Sequence, residues 1–240
     1  MTKIHVATLA AVGLLAPGMW VMGNTAASPT AARIVSQPAD QGVCAGVRRC
    51  QVVGHADVNG DGSPDPIGFA RRGQEGAAKG GVIVRVKTGP RRIESVRRAT
   101  PYWYGPLWQG VANLDRPNGK EIVLGRTMGA HAQFYQVLTW RRGRLVPLGA
   151  PGQRRWWYID GAVWVSAGWL RLPGDDPGTL TKRVAVRTGD ATQSPFTGKV
   201  TSYSWTPAGW HETASQTFDP LSDARAYRWG GFHIPGLSRW

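Results

Sequence analysis

The sequence has few acidic residues relative to its basic ones. Asp and Glu total 15 against 29 Lys and Arg, which gives a formal net charge of +14 at pH 7. A protein this basic approaches anionic surfaces quickly, and added salt weakens the attraction. The charge alone does not choose among nucleic acid, an anionic cell-wall polymer and phospholipid headgroups as the partner.

Catalytic motifs are missing as well. The chain has no Gly-x-Ser-x-Gly turn, no His-Glu-x-x-His helix and no phosphate-binding glycine loop that leads into a helix. His131 lies in a Gly/Ala segment that suits a hydrogen-bonded turn. Asp175 and Asp176 are adjacent, so their carboxylates point apart, whereas glycosidase carboxylates come from separate segments. These absences favour a non-catalytic protein over a secreted hydrolase whose catalytic residues are not located.

Cysteine is scarce, with only Cys44 and Cys50 present. In an exported protein an isolated pair this close is expected to form a disulfide. The loop that it closes is short, so the chain-entropy model gives a stabilisation of about 2 kcal/mol. A zinc site is excluded, because no histidine lies at zinc-finger spacing from the two cysteines.

Long apolar runs are absent beyond the N-terminus. Lys3 is followed by no charged residue until Arg33, and Thr25-Ala26-Ala27 offers a small-residue cleavage site. We expect residues 1–27 to be a signal peptide rather than a membrane anchor, because Pro17 interrupts the apolar stretch. This predicts a secreted or cell-surface protein with no transmembrane span after cleavage.

Glycine, proline and tryptophan are abundant, at 32, 17 and 12 residues. Together with few long runs of helix formers, this composition predicts an all-β protein of short strands joined by turns. We expect residues 28–42 to form a flexible leader and residues 43–240 a single β-repeat domain. Most tryptophans are expected in the core, and residues 101–106 are expected to form an exposed aromatic loop.

The segment Asp57-Val58-Asn59-Gly60-Asp61-Gly62-Ser63-Pro64-Asp65 has the composition of a calcium loop. Ca²⁺ takes six to eight oxygen ligands, and glycine reaches the positive φ that a sharp turn between them needs. The side chains of four residues and the carbonyl of a fifth are the expected ligands: Asp57, Asn59, Asp61, Asp65 and, through its backbone, Ser63. The segment is not an EF-hand, because Gly68 stands at the twelfth position. The alternative is an Asp/Asn/Gly turn that holds no metal.

A repeat with an offset of 56 residues surrounds this loop. Residues 54–58 match residues 110–114, and residues 65–67 match residues 121–123. Alternation and turn signals predict three units of about 50 residues, each of about four strands. The expected hairpins are at residues 82–96, 134–148 and 199–213, and the other strands of the third unit are expected at residues 157–165 and 182–188.

Residues 57–65 followed by Pro66-Ile67-Gly68-Phe69 resemble an FG-GAP/VCBS-type repeat, as found in integrin α-subunit propellers and many exported bacterial proteins. The resemblance implies that the loop binds Ca²⁺ between two strands of a blade. The fold expected from it is a small or irregular β-propeller-like array of about three four-stranded units. An open β-sandwich is the alternative, since propellers typically have four to eight blades.

The second copy of the loop, residues 113–121, departs from this pattern. Asn113 and Asp115 keep the first two oxygens, but Pro117 and Glu121 replace the last two ligands. We expect no metal in this copy, and no such loop in the third unit.

These features predict an exported, non-catalytic binding or structural module with one Ca²⁺ site. An anionic cell-wall polymer or a glycan is the expected partner, and a cell-wall polyanion-binding protein is a further alternative. Nucleic acid is disfavoured, because the arginine pairs are dispersed rather than interleaved with aromatic residues on one face. These pairs are Arg91-Arg92, Arg97-Arg98, Arg141-Arg142 and Arg154-Arg155.

Overall fold

Antiparallel β-strands form nearly all of the regular structure. The computed structural model describes residues 42–115, 118–152 and 156–238. In these residues the chain is all-β, with one short helix, as the composition predicts. The strands are β1 Gln51–Ala56, β2 Asp65–Arg72, β3 Gly81–Gly89, β4 Arg92–Ala99, β5 Trp108–Ala112, β6 Glu121–Met128, β7 Ala132–Arg141, β8 Arg144–Leu148, β9 Trp157–Gly161, β10 Val165–Leu170, β11 Thr179–Arg187, β12 Phe196–Thr206, β13 Gly209–Leu221 and β14 Gly231–His233, and the helix α1 is Asp223–Tyr227.

The strands belong to two sheets. The first has the order β1-β2-β3-β4, and the second has the order β13-β12-β11-β10-β9-β7-β6-β5, with β8 paired to β7 and β14 paired in parallel to β10. The described strands close no barrel. Two open sheets fit the predicted open β-sandwich alternative.

Three meanders of four antiparallel strands account for twelve of the fourteen described strands. We term β1–β4 the first unit, β5–β8 the second unit and β10–β13 the third unit. The prediction of one strand over residues 157–165 is wrong, because the chain turns between β9 and β10. The Asp160 carboxylate accepts a hydrogen bond from the Ala162 amide at 3.0 Å, which ends β9 in a tight turn. Strand β9 is therefore an additional strand that joins β7 to β10.

The first and second units share one strand register. Ala56 lies opposite Asp65 in the first ladder, and Ala112 lies opposite Glu121 in the second. Both ladders shift register at the same point, after Val52 and after Trp108. The sequence match at an offset of 56 residues therefore corresponds to matching hairpins.

The predicted hairpins are confirmed at all three places. β3 pairs with β4, β7 with β8 and β12 with β13. Arg142 and Gly143 between β7 and β8 have φ of 48° and 82°. Two consecutive left-handed residues match the right-handed twist of the strands that they connect.

The second unit is the middle layer of the molecule. Ile122 and Leu124 on β6 pack into a cluster with the first unit, whereas Val123 packs into a cluster with β9–β11. Successive side chains of a strand point to opposite faces, so β6 is covered on both. This double burial explains why β6 reads as a continuous apolar run instead of an alternating one.

Eight of the ten described tryptophans lie in the core or pack against it, as predicted. Trp103, Trp140, Trp157, Trp169 and Trp229 are buried, and Trp108, Trp205 and Trp210 are partly buried against the core clusters. In the predicted aromatic loop, Tyr102 and Tyr104 are 55% and 62% exposed, but Trp103 is buried against Gly125, so the prediction is wrong for that ring.

Both ends of the described chain are fastened to the sheets. The predicted disulfide between Cys44 and Cys50 is formed, and its sulfur atoms lie against Gly68 of β2. At the other end, β14 pairs with β10, and Leu237 forms a bridge with Gly110 of β5. The predicted signal peptide and residues 28–41 of the predicted leader lie outside the described residues. Within the described ranges, no helix has the length and apolar character needed to cross a bilayer.

Candidate metal centre

The predicted calcium loop connects β1 to β2, and we term residues 57–65 the first loop. Its carboxylates accept hydrogen bonds from the loop's own backbone. Asp57 Oδ1 accepts from the amide of Gly60 at 2.6 Å, and Asp57 Oδ2 accepts from Gly62 at 2.9 Å. Gly60 and Gly62 have φ of 84° and 87°. These left-handed residues wrap the backbone around the Asp57 carboxylate, as the sequence predicts for Gly62.

The middle of the first loop is held by Asn59 and Asp61. The Asn59 side-chain amide donates to Asp61 Oδ2 at 2.7 Å, and Asp61 Oδ1 accepts from the Ser63 amide at 2.8 Å. The hydrogen bond from Asn59 is the main reason that the pKa of Asp61 lies below its ordinary value. Asp61 is therefore ionised under neutral conditions.

Asp65 closes the first loop at the start of β2. Its Oδ2 accepts from the Val58 amide at 3.0 Å, and its side chain is buried. Burial raises the pKa of Asp65, and the negative charges of Asp61 and Asp57 raise it further. Three carboxylates thus repel one another in this loop, and a cation among them would relieve that repulsion.

The first loop fits a hard cation in the type of its oxygen donors. Three carboxylates, one amide oxygen and the Ser63 carbonyl are the ligands that Ca²⁺ prefers. In the described part of the chain, no three His, Cys, Asp or Glu side chains already lie together as a metal site. Ligation would require Asp61 to exchange its hydrogen bond with Asn59 for the ion. A cleft of about 460 Å³, lined by Asp61, Ser63 and Asp65, opens beside them.

The second loop, residues 113–121, reproduces the closing contact of the first. The Leu114 amide donates to Glu121 Oε2 at 2.7 Å, which is the counterpart of the contact between Val58 and Asp65. Glu121 is fully buried at the start of β6, and the Thr139 hydroxyl donates to its Oε1 at 2.9 Å. The repeated position therefore keeps its backbone role, although the residue has changed.

A guanidinium lies where the second loop departs from the calcium pattern. Arg141, at the end of β7, forms an ion pair with the buried carboxylate of Asp115 and donates to Thr139. In the first unit the residue that closes the corresponding hairpin is Gly89, which lines the cleft beside the first loop. The second loop thus holds the guanidinium of Arg141 against Asp115, whereas the first loop has at the same place an open cleft whose lining includes Lys87 but no arginine.

Glu121 is the most strongly perturbed carboxyl group of this centre. Burial raises its pKa to about 7, the negative charge of Asp115 contributes to the rise, and hydrogen bonds from Leu114 and Thr139 oppose it. The carboxyl group therefore changes its charge near neutral pH.

The third loop, residues 171–178, connects β10 to β11. It is the counterpart of the first two by strand order, although the sequence predicts no such loop in the third unit. It lacks the Asp-x-Asn-x-Asp pattern. Asp175 Oδ2 accepts from the Leu172 amide at 2.8 Å, and Asp176 is exposed.

The three loops lie beside one another. The Lys120 amide donates to the Asp57 carbonyl at 2.7 Å, which joins the second loop to the first. Arg171 donates to the Leu114 carbonyl at 3.4 Å, which joins the third loop to the second. The loops therefore form one edge of the layered structure, with the first loop at its end.

His131 belongs to a polar pair outside the loops. Its Nδ1 lies 2.9 Å from Asp160 Oδ1, and the same oxygen accepts from the Ala162 amide. This is the hydrogen-bonded turn histidine that the sequence predicts. The pair orients a turn, and no described serine or cysteine thiol is hydrogen-bonded to it.

Two features of the molecule are not predicted from the sequence. Arg141 is predicted to lie in a dispersed surface pair, but it neutralises Asp115. Arg126, Gln136 and Trp156 come together with Arg97 and Arg98 in a basic cleft, because a register shift in β6 directs Arg126 there. The alternation of apolar and polar residues along the sequence does not indicate such a register shift.

Protein-family models, curated proteins and solved structures show no match to this chain. The resemblance to FG-GAP/VCBS repeats therefore rests on the residues of the first loop and the start of β2. The geometry of the loops is the ground on which a function is proposed.

Proposed function

We propose that the chain is an exported, non-catalytic binding module of the FG-GAP/VCBS type, in which the first loop holds one structural Ca²⁺. In this proposal the three units are blades of a small, open propeller-like array. The antiparallel order of four strands in each unit supports the blade interpretation. An anionic cell-wall polymer or glycan is the proposed partner, supported by the net charge of +14.

The difference between the first and second loops carries the calcium proposal. Both loops end at a residue whose carboxylate accepts a hydrogen bond from an equivalent backbone amide. The second loop pairs Asp115 with Arg141, whereas in the first loop Asp61 and Asp65 line an open cleft together with Lys87 and without an arginine. A divalent ion in the first loop would supply the charge that a guanidinium supplies in the second.

Bound Ca²⁺ would supply positive charge and fix the first loop. Asp57, Asn59, Asp61 and Asp65 would hold it through side-chain oxygens, and Ser63 through its carbonyl. The loop is joined to the second loop through Asp57 and Lys120. An ordered first loop would therefore support the edge of the layered structure.

Thermal unfolding with and without calcium tests this proposal. An ion that binds only the folded state stabilises it by about 2.7 kcal/mol at a hundredfold excess over its Kd. For a domain of this size that corresponds to a rise in Tm of about 5–10 °C. We expect the rise in the wild-type protein and its absence in Asp61→Ala, whose side chain is exposed and forms hydrogen bonds with Asn59 and Ser63 of the same loop.

Asp176→Asn is the matched control, because it removes an exposed carboxylate from the third loop. It should keep the full calcium response. Asp115 is unsuitable as a control, since it is buried and paired with Arg141. Identical melting curves in calcium and in chelator would reduce the first loop to an ordinary turn.

A further inference from the structure

A cleft of about 510 Å³ opens between the edge strand of the first unit and the second unit. Arg97 and Arg98 on β4 line one side, and Arg126 on β6 and Gln136 on β7 line the other. Trp156 lies at its rim and is 37% exposed. The described lining of the cleft contains three arginines and neither Asp nor Glu.

A β-bulge directs Arg126 into this cleft. Gly125 pairs with Tyr135 and Thr127 pairs with Phe134, so Arg126 is the extra residue between them. Bulges of this kind re-aim a side chain relative to the regular strand. The Arg126 guanidinium donates to the carbonyl of Ala99 across the cleft, and it lies 4.9 Å from the centre of the Trp156 ring.

The positive charge in the cleft lacks a carboxylate partner within the lining. Elsewhere, Arg187 pairs with Asp223 and Arg141 pairs with Asp115. Burial lowers the pKa of both Arg98 and Arg126, which shows that desolvation disfavours their charged forms. A bound anion would offset this cost.

Gln136 adds a polar group to the same cleft. Its side chain is 7% exposed, and its amide nitrogen has no hydrogen-bond partner in the described part of the chain. A buried donor without an acceptor costs free energy, and a ligand oxygen would satisfy it. The lining of the cleft thus includes three arginines and one buried amide.

We propose that this cleft binds a phosphodiester group of a polyol-phosphate or sugar-phosphate polymer. Guanidinium groups match phosphate oxygens in pairs, and the apolar surface of Trp156 contacts the adjoining polyol or sugar carbons. The cleft offers one exposed indole, whereas proteins that bind single-stranded nucleic acid stack successive bases on several aromatic rings. The proposal rests on the proposed binding function and identifies its ligand, but the site does not involve the first loop.

Titration calorimetry with a synthetic poly(glycerol phosphate) tests the cleft in the intact protein. Arg97→Gln should weaken binding about tenfold, because losing one charge-assisted contact typically costs a factor of ten or more. Arg97 is exposed, so this variant should fold normally. Arg126→Gln should weaken binding at least as much, although it also loses the contact with Ala99.

Arg72→Gln is the matched control. It removes the same charge from a separate arginine cluster that contains Arg48, Arg49 and Arg71, and it should change the affinity less than about twofold. Equal weakening by Arg72→Gln and Arg97→Gln, or no measurable binding by the wild-type protein, would overturn the proposed site.

Two further binding measurements distinguish a polyol phosphate from a nucleic acid, and the basic cleft from the first loop. Tighter binding of an oligothymidylate with the same number of phosphates, lost in Arg97→Gln, would overturn the polyol assignment in favour of nucleic acid. Measurements in calcium and in chelator, below the Tm of both forms, should give the same affinity. Binding without any calcium effect on Tm would then contradict only the calcium proposal.

Discussion

Asp65 and Glu121 begin equivalent strands and accept hydrogen bonds from equivalent backbone amides. Their surroundings differ in charge. Asp65 and Asp61 line an open cleft whose lining also includes Lys87, whereas Glu121 lies with Asp115 beside an arginine. The sequence predicts the loop residues, because their spacing is local. It does not predict Arg141 as the cation of the second loop, because the strand pairing that brings it there is not local.

The raised pKa of Glu121 predicts a pH dependence of stability. Its ordinary value of 4.5 rises to about 7 in the folded protein, so the folded state holds this proton more tightly than the unfolded state. The contribution of Glu121 to stability is therefore lost as pH rises from 4.5 to about 7. Above that range it stays constant. The loss is about 3 kcal/mol, at 1.36 kcal/mol per pKa unit.

Glu121→Gln should remove this dependence, because the amide is isosteric but does not titrate. Urea unfolding at pH 5 and pH 8 should show the variant gaining stability relative to the wild type as pH rises. Glu94→Gln, on β4, supplies the control and should show no such gain. If the difference in the free energy of unfolding between Glu121→Gln and the wild type is the same at pH 5 and pH 8, the pKa of Glu121 is not raised in the folded protein.

Among the strands and turns, the sequence predicts the features that depend on neighbouring residues. The hairpin turn at Arg142-Gly143 and the repeat of residues 54–58 at 110–114 are visible because they depend on neighbouring residues. Strand β9 is not predicted as a separate strand, because the Asp160 side chain ends it within what the sequence indicates to be one continuous strand. The bulge at Arg126 is not predicted either, because it depends on pairing between β6 and β7.

Gly125, immediately before that bulge, allows Trp103 to pack on β6. A Cβ at this position would lie 2.3 Å from the Trp103 ring, which is 3% exposed and packs edge-on against Tyr135. Gly125→Ala should therefore destabilise the protein by about 3 kcal/mol, at the upper end of overpacking. Denaturant unfolding measures the loss.

Gly89→Ala is the control for this substitution. A Cβ at Gly89 meets no atom within 4 Å, so the free energy of unfolding should change little. Equal free energies of unfolding for Gly125→Ala and the wild type would show that the packing of Trp103 on β6 does not require glycine at position 125.

At the scale of the whole molecule, the middle layer connects the two proposed sites. Glu121 begins β6 at the edge formed by the three loops, and Arg126 lies further along the same strand at the basic cleft. The sequence predicts the all-β class, since this follows from composition. It does not predict the layer order, because that depends on which face of each sheet is covered.

Equilibrium dialysis against ⁴⁵Ca²⁺ measures directly whether the first loop is a calcium site. We expect one bound ion per chain for the wild-type protein and for Asp176→Asn. We expect none for Asp61→Ala, because a ligand is lost from the only loop with the full Asp-x-Asn-x-Asp pattern in this sequence. Absence of bound calcium in the wild-type protein, or an unchanged stoichiometry in Asp61→Ala, would contradict the calcium proposal.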